Sequence, residues 1–455
     1  MIHKFKLFEK NIVIDVNSGA VHLFDDLAFE MLDFYEEYGR EIIISKLSDT
    51  YAEDDIAEAL DELDTLKKQG QFFTEDIYED YLPTWDRKPV VKALCLNIAH
   101  DCNLRCRYCF ASTGDFGSGR KLMPPETGKK AIDYLIKASG NRRNLEIDFF
   151  GGEPLMNFDA VREIVCYAED KGRESSKNFR FTITTNALLL NEEHKAFINE
   201  HMGNVVLSID GRKDVNDRMR FRVDGTGTYS AILPKIMDIA DSRGQEGYYV
   251  RGTFTRQNLD FSSDVLHLAD LGFKQISVEP VVAAKDSGFD LREEDLPTLF
   301  EEYEKLAAEY VKRHREGNGF NFFHFMLDLE NGPCVAKRLK GCGSGHEYLA
   351  VTPEGDLYPC HQFVGMDDFK MGNVNNDGAL KEDIRDMFKN STIYTKEDCR
   401  MCWARFYCSG GCAANAFQFN NSLDKPYKVG CELEKKRVEC ALWVKVFEQN
   451  DEEAG

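Results

Sequence analysis

Cysteine is the residue type through which this sequence could do unusual chemistry. Fourteen are present in 455 residues. The segment HDCNLRCRYCF sets Cys102, Cys106 and Cys109 in a CxxxCxxC loop. A cubane [4Fe-4S] cluster has four irons and normally takes four thiolates. Three thiolates leave one iron open to a ligand from outside the chain. A zinc loop is the alternative, although zinc loops more often use CxxC pairs with a fourth Cys or His nearby.

A second set fills the C-terminal third, where GCGSGHEYLAVTPEGDLYPC, CRMCWARFYCSGGC and VGCELEKK contain Cys342, Cys360, Cys399, Cys402, Cys408, Cys412 and Cys431. CxxC pairs with distant partners suit zinc as well as iron–sulfur clusters. The upstream three-cysteine loop favours clusters. Cys95, Cys166 and Cys440 are expected to be small buried apolar residues.

Composition narrows the setting. With 43% hydrophobic and 30% charged residues the chain is expected to be globular, and 455 residues suffice for two or three cores. A formal net charge of −22 argues against a nucleic-acid partner, which needs clustered Lys and Arg. No apolar run approaches the roughly 20 residues that span a bilayer. The start MIHKFKLFEKNIVIDV lacks the apolar core of a signal peptide. A cytoplasmic location without membrane contact is expected, where thiols stay reduced and bind metals.

Three regions must position these cysteines. Residues 1–82 read as a small module of short strands at 4–7, 12–15 and 20–23, followed by amphipathic helices at 25–38 and 54–70. Residues 81–89, with Pro83 and Pro89 around Trp85, read as a linker. Residues 83–316 contain the region of alternation: the β-rich runs VKALCLNI, LEIDFF, FRFTITT, NVVLSID, YYVRGTF and KQISVEP are separated by helical segments, the pattern of βα units on a parallel sheet. Six units are too few for a full eight-unit barrel, so the expected fold class is α/β, a partial (β/α)6 TIM barrel with chemistry at the strand C-termini. Residues 317–455 are rich in Cys, Gly and aromatics, with one long helix expected at 432–447. Such a loop-rich region needs metal staples.

With the CxxxCxxC loop after the first barrel strand, and FFGGEPL after the second, the sequence resembles the radical S-adenosylmethionine (SAM) superfamily. The resemblance implies that Cys102, Cys106 and Cys109 hold a [4Fe-4S] cluster whose open iron chelates SAM, the source of a 5′-deoxyadenosyl radical. In the GGEP element, Gly151 and Gly152 allow close backbone approach to the ligand and expose N–H donors, and Glu153 is implied to accept from the SAM ammonium. Tyr108 is implied to lie near the adenine, Ser208 and Asp210 near the ribose, and Arg220 near the SAM carboxylate. Thr184, Asn186 and Glu279 also stand at strand ends.

The arrangement CxxCx5Cx3C, preceded by a Gx4C element at 355–360 and followed by a distal Cys, resembles the SPASM extension of radical SAM peptide-modifying enzymes. It implies two auxiliary clusters, and so three [4Fe-4S] clusters in all. Cys399, Cys402, Cys408 and Cys431 would ligate the outer one, and Cys342, Cys360 and Cys412 three corners of the inner one. Cys334 is either the fourth inner ligand or leaves that cluster with an open iron able to bind a substrate thiolate.

The N-terminal strands and helices resemble the PqqD-like winged-helix element to which a leader peptide adds a strand. Over its full length the chain resembles the maturases of six-cysteine peptides, the sactipeptide and ranthipeptide synthases. This implies thioether crosslinking of a Cys-rich precursor peptide, with electrons from flavodoxin or ferredoxin. A sulfatase-type formylglycine-forming maturase and a non-catalytic Fe–S electron-transfer scaffold are the alternatives.

Overall fold

The computed structural model describes residues 1–80, 90–329, 335–376 and 378–453. The expected linker at 81–89 and Cys334 lie outside the described residues. Strands β1 (Ile2–Leu7), β2 (Lys10–Asp15) and β3 (Val21–Phe24) form an antiparallel sheet in the order β1-β2-β3. Helices α1 (Asp26–Met31), α2 (Arg40–Leu47) and α3 (Glu53–Lys68) close an apolar core of Val13, Leu27, Met31, Ile43, Ile56, Leu60 and Leu63 over it.

The helix expected across 25–38 stops at Met31. Phe34 and Tyr35 turn back against α3, where the Tyr35 hydroxyl donates to Asp64, and the chain restarts as a helix after Gly39. The sequence reading missed α2. Its Ile42–Ile44 run is β-branched, and only Ile43 of the three is buried.

Six parallel strands make the barrel wall: β4 (Ala93–His100), β6 (Asn144–Gly151), β7 (Asn178–Thr185), β8 (Asn204–Ser208), β9 (Tyr248–Phe254) and β10 (Gln275–Pro280), with a short β5 (Lys121–Leu122) antiparallel to β4. Every residue of β4 is buried, as its near-continuous apolar run requires of a strand covered on both faces. Helices α4 (Pro125–Ala138), α5 (Phe158–Ser175), α6 (Glu192–His201), α7 (Lys213–Met219), α8 (Tyr229–Ser242), α9 (Phe261–Asp270) and α10 (Leu296–Arg315) follow or connect these strands.

The sheet continues past residue 316. Strand β11 (Asn321–Phe322) adds to β10, and β12 (Tyr348–Val351) pairs parallel with β4 on the opposite side. Strands β13 (Asp356–Tyr358) and β14 (Gly372–Asn373) extend it antiparallel. The Cys-rich region is thus hydrogen-bonded to the barrel through a shared sheet. The final helix runs Lys428–Glu453 and takes in Cys431 in its first turn.

Cys95 and Cys440 are buried as expected, but Cys166 is exposed. Helix α5 buries Val161, Ile164, Val165 and Ala168, which puts position 166 on the opposite side.

Candidate functional site

The register between β4 and β6 shifts at Asn97/Ala99, just before the chain leaves the sheet as the cysteine loop. That loop is laced to the segment after α7. Arg105 N–H donates to Phe221 O at 2.8 Å and Arg107 N–H to Met219 O at 3.0 Å, which brings Arg220 beneath the cysteines. Gly114, at φ +91°, closes the loop. A Cβ there would lie 2.6 Å from Cys102 Cβ, so no side chain fits.

Cys102, Cys106 and Cys109 line one cavity of about 170 Å3 at the strand C-termini, together with Tyr108, Gly151, Gly152, Glu153, Thr184, Asn186, Ser208 and Arg220. The expected positions Tyr108, Gly151, Gly152, Glu153, Ser208 and Arg220 thus share one cavity, whereas Asp210 is fully buried and does not line it. Burial pushes the Cys102 thiol up to about 12, with Glu153 adding to the shift, and Cys106 up to about 11; Cys109 is also raised. Arg220 opposes the shift at Cys106 and Cys109, and a cationic metal centre bound there would favour the thiolates further.

Gly151 and Gly152 are fixed by backbone contact. Gly151 has φ +124° and a Cβ there would meet Ala99 O at 2.5 Å; at Gly152 it would meet Asp101 O at 2.1 Å. The amides of Gly152 and Glu153 donate to Ala99 O and Asp101 O at 2.7 and 2.9 Å. The GGEP element is thereby zipped onto the strand that leads into the cysteine loop.

Glu153 is 1% exposed. Its Oε1 accepts from Leu155 N–H (3.0 Å) and the Thr185 hydroxyl (2.7 Å), and its Oε2 from Asn186 N–H (2.8 Å). Burial raises its pKa and these donors oppose the shift. Three of the four lone-pair directions of the carboxylate are used inside the chain, leaving one for a ligand donor. Asn186 Nδ2 lies 3.8 Å from Cys102 Sγ and donates to Asn103 Oδ1 at 2.8 Å.

The Tyr108 side chain has a role that the sequence reading did not give it. Its hydroxyl donates to buried Asp210 and accepts from Arg220 Nη1 at 2.7 Å, while Asp210 also accepts from Thr253 N–H. Arg220 Nε is buried without a partner in the protein and its side chain lines the cavity, an unmet donor suited to an anionic group such as a carboxylate. Arg251 and His361 were also missed. Arg251, on β9, ion-pairs with Glu279 and, after burial's opposing effect, holds that carboxyl near 2. His361 follows Cys360, and its ring stacks on Phe150 with centroids 4.8 Å apart. Arg251 gave no sequence signal because it alternates within an ordinary strand pattern; for His361 the neighbouring cysteine was the only cue.

The second cysteine set separates in space. Cys399, Cys402, Cys408 and Cys431 line a cavity of about 330 Å3. Cys360 lies close enough to Cys412 and Cys342 that these thiols add to the effect of burial in raising its pKa. Between Cys408 and Cys412, Ser409, Gly410 and Gly411 all adopt positive φ and turn the chain between the two groups. A third cavity, of about 420 Å3, shares Glu279, Pro280 and Val282 with the SAM-side cavity and reaches Cys408, Cys412 and Cys431. Among the described residues no three His, Cys, Asp or Glu converge on a point for a single metal ion. Cys399, Cys402, Cys408 and Cys431 instead line the walls of a shared space.

Residues 96–246 match the radical SAM superfamily and residues 342–403 match SPASM, an iron–sulfur cluster-binding domain. An uncharacterized protein of Methanocaldococcus jannaschii is 31% identical over 294 residues, covering 64% of this chain and 91% of that protein. A cysteine-type anaerobic sulfatase-maturating enzyme of Clostridium novyi is 25% identical over 334 residues, covering 69% and 86%. Streptococcus suis SuiB bound to precursor peptide SuiA shares the fold, with a TM-score of 0.52 at 16% identity over 94% of this chain and 98% of that one.

A three-cysteine loop at the mouth of a six-stranded parallel barrel, with a Cys-rich domain continuing the same sheet, defines an enzyme class, and the chain belongs to the radical SAM superfamily, in its SPASM-containing branch. Membership implies a [4Fe-4S] cluster and SAM. Among the described residues no helix is long and apolar enough to cross a membrane.

Proposed function

We propose that this enzyme installs thioether crosslinks, joining Cys sulfur to carbon, in a ribosomally made Cys-rich precursor peptide. One observation carries the reading: the cavity that reaches Cys412 shares the wall Glu279–Pro280–Val282 with the SAM-side cavity. A peptide sulfur near the inner cysteine set and a peptide carbon near the SAM site could therefore occupy connected space.

When bound, the cluster with SAM supplies the 5′-deoxyadenosyl radical that takes a hydrogen atom from the acceptor carbon. Each crosslink breaks one C–H and one S–H bond and forms one C–S bond. The hydrogen atom leaves with the deoxyadenosyl group, the thiol proton goes to solvent, and one electron remains to be accepted. The second cysteine set, read as holding two auxiliary clusters for three in all, gives that electron a destination. The chain's own residues hold and orient. Cys102, Cys106 and Cys109 would hold the cluster, Glu153 would accept from the SAM ammonium, Gly151 and Gly152 would let the backbone approach it closely, and the unmet Arg220 Nε would donate to its carboxylate. Flavodoxin or ferredoxin is the proposed source of the initiating electron.

Recognition is assigned to the N-terminal module, residues 1–82. Strand β3 pairs with β2 alone among the described strands, and Leu23 is exposed on it. A leader segment adding to that edge would gain main-chain hydrogen bonds, with alternate side chains giving selectivity. SuiB, solved with its precursor peptide, supports a peptide substrate for this fold.

The second reading, formylglycine formation, is favoured by the sulfatase-maturing relative. That chemistry is expected to place an Asp base beside the substrate. Among the described residues lining the SAM-side cavity the carboxylates are Glu153 and Glu279, one bound by three donors and the other ion-paired to Arg251.

The test is anaerobic incubation of the reconstituted enzyme with SAM, a reductant and any short Cys-rich peptide found encoded beside its gene, followed by fragment mass spectrometry. Loss of two hydrogens per crosslink at a Cys is expected. Formation of 5′-deoxyadenosine with an unaltered Cys-rich peptide would overturn the reading, and absence of 5′-deoxyadenosine would favour the scaffold.

A further inference from the structure

The module assigned to recognition packs behind the loop that walls the outer cysteine cavity. Between the ligand positions Cys399 and Cys408, four side chains engage the N-terminal residues. Arg400 ion-pairs with Glu79 at 2.6 Å. The Trp403 ring stacks on His3 with centroids 3.7 Å apart and planes 3° from parallel. Phe406 meets Tyr78 edge-on at 5.4 Å. Arg405, its side chain 4% exposed, donates to Asn17 Oδ1 at 2.6 Å and Asp76 Oδ2 at 3.0 Å.

Asp76 is itself held by the Tyr394 hydroxyl at 2.8 Å. Asn17 donates to Thr74 O at 2.6 Å, and Thr74 N–H donates to Asp15 Oδ2 at 3.0 Å, which ties the 74–79 segment to the end of β2. Val16 and Cys399 belong to the same buried apolar cluster, with Leu339, Ile393, Tyr394 and Phe406.

Arg405 also lines the cavity walled by Cys399, Cys402, Cys408 and Cys431. Two of its terminal nitrogens are committed, Nη1 to Arg400 O at 2.6 Å and Nη2 to the module. Its Nε is buried with no partner in the protein. An unmet guanidinium N–H at such a cavity suits the sulfur of an anionic cluster, whose potential depends on hydrogen bonds to its sulfurs.

We propose that the N-terminal module is part of the outer cluster's site: Asp76 and Asn17 hold Arg405 as a positioning residue that braces the 399–408 ligand loop and offers Nε–H to the cluster. This rests on the reading that these four cysteines hold a cluster. Outer-shell partners of ligands govern metal retention and electronics in the same way elsewhere. One consequence is that removing residues 1–80 to test leader binding removes the outer cluster's support as well, so the two roles separate only in point variants.

The experiment compares full-length, anaerobically reconstituted wild type, Asp76→Ala, Asn17→Ala, Arg405→Lys and the reference Cys399→Ala/Cys402→Ala. Iron per chain, the midpoint potential from an EPR-monitored redox titration and hydrogen exchange across 399–408 are read. Asp76→Ala and Arg405→Lys should lose iron toward the level of the reference variant and exchange faster over that loop. Asn17→Ala, the mildest change, should keep its iron while the midpoint potential of the outer cluster moves to a more negative value. Wild-type iron, potential and exchange in all three would overturn the proposal. A reference variant with undiminished iron would instead overturn the cluster reading itself.

Discussion

The Tyr108 hydroxyl lies 2.8 Å from each carboxylate oxygen of Asp210, inside the barrel and one residue before Cys109 of the three-cysteine loop. One side chain thus ties the cysteine loop to the end of the fourth barrel strand. Tyr108→Phe leaves Asp210 and Arg220 facing each other without the hydroxyl between them. We expect a loss of about 1–3 kcal/mol in unfolding free energy, the cost of leaving a buried polar group underpaired. SAM binding should weaken in parallel; thermal melts and equilibrium dialysis check both.

Gly152→Ala places a methyl group 2.1 Å from Asp101 O, a backbone atom with no freedom to retreat. The GGEP element cannot then zip onto the cysteine loop. Production of 5′-deoxyadenosine should fall to background, while the iron held by the Cys-rich domain is retained; iron assay and product chromatography measure the two.

Gly114→Ala should act on the same cluster from the other side, by pushing on Cys102 Cβ and forcing an alanine into positive φ. Loss of the SAM-dependent change in the EPR spectrum is the expected result.

The Arg251–Glu279 pair predicts a pH dependence with a definite sign. Glu279 is held near 2, below its ordinary 4.5, so the stability it contributes is full above about 4.5 and is lost as the pH falls toward 2. Arg251→Met should lower Tm at neutral pH, and the gap from wild type should narrow on acidification below about 4.5. Scanning fluorimetry across a pH series follows both proteins.

Cys166→Ser is expected to be silent, with stability within about 0.5 kcal/mol of wild type and unchanged iron, because the side chain is exposed on the outer face of α5. A loss of iron in this variant would place a ligand where the structure has none.

Much of the site was legible in the sequence because its chemistry is local. Three thiolates within eight residues stand out by spacing, whereas two glycines before a Glu-Pro are a weak signal alone and gained meaning from following the second strand in a chain that resembles the radical SAM superfamily. Gly114 was not legible, since its requirement arises from Cys102, twelve residues earlier, folding back over it. Contacts such as Arg405 with Asp76, 329 positions apart, leave no trace in a single sequence. Helix α2 was lost because three adjacent isoleucines resemble a strand, and Cys166 was misplaced because its residue type, not its phase on the helix, guided the expectation.

The left-handed run Ser409–Gly410–Gly411 also sets a length. Four residue steps separate Cys408 from Cys412, so their Cα atoms cannot be more than about 14 Å apart, however the rest of the domain moves. A covalent tether of that size keeps the two cysteine groups close to each other. If each group holds a cluster, as proposed, movement elsewhere in the domain leaves the two within that span.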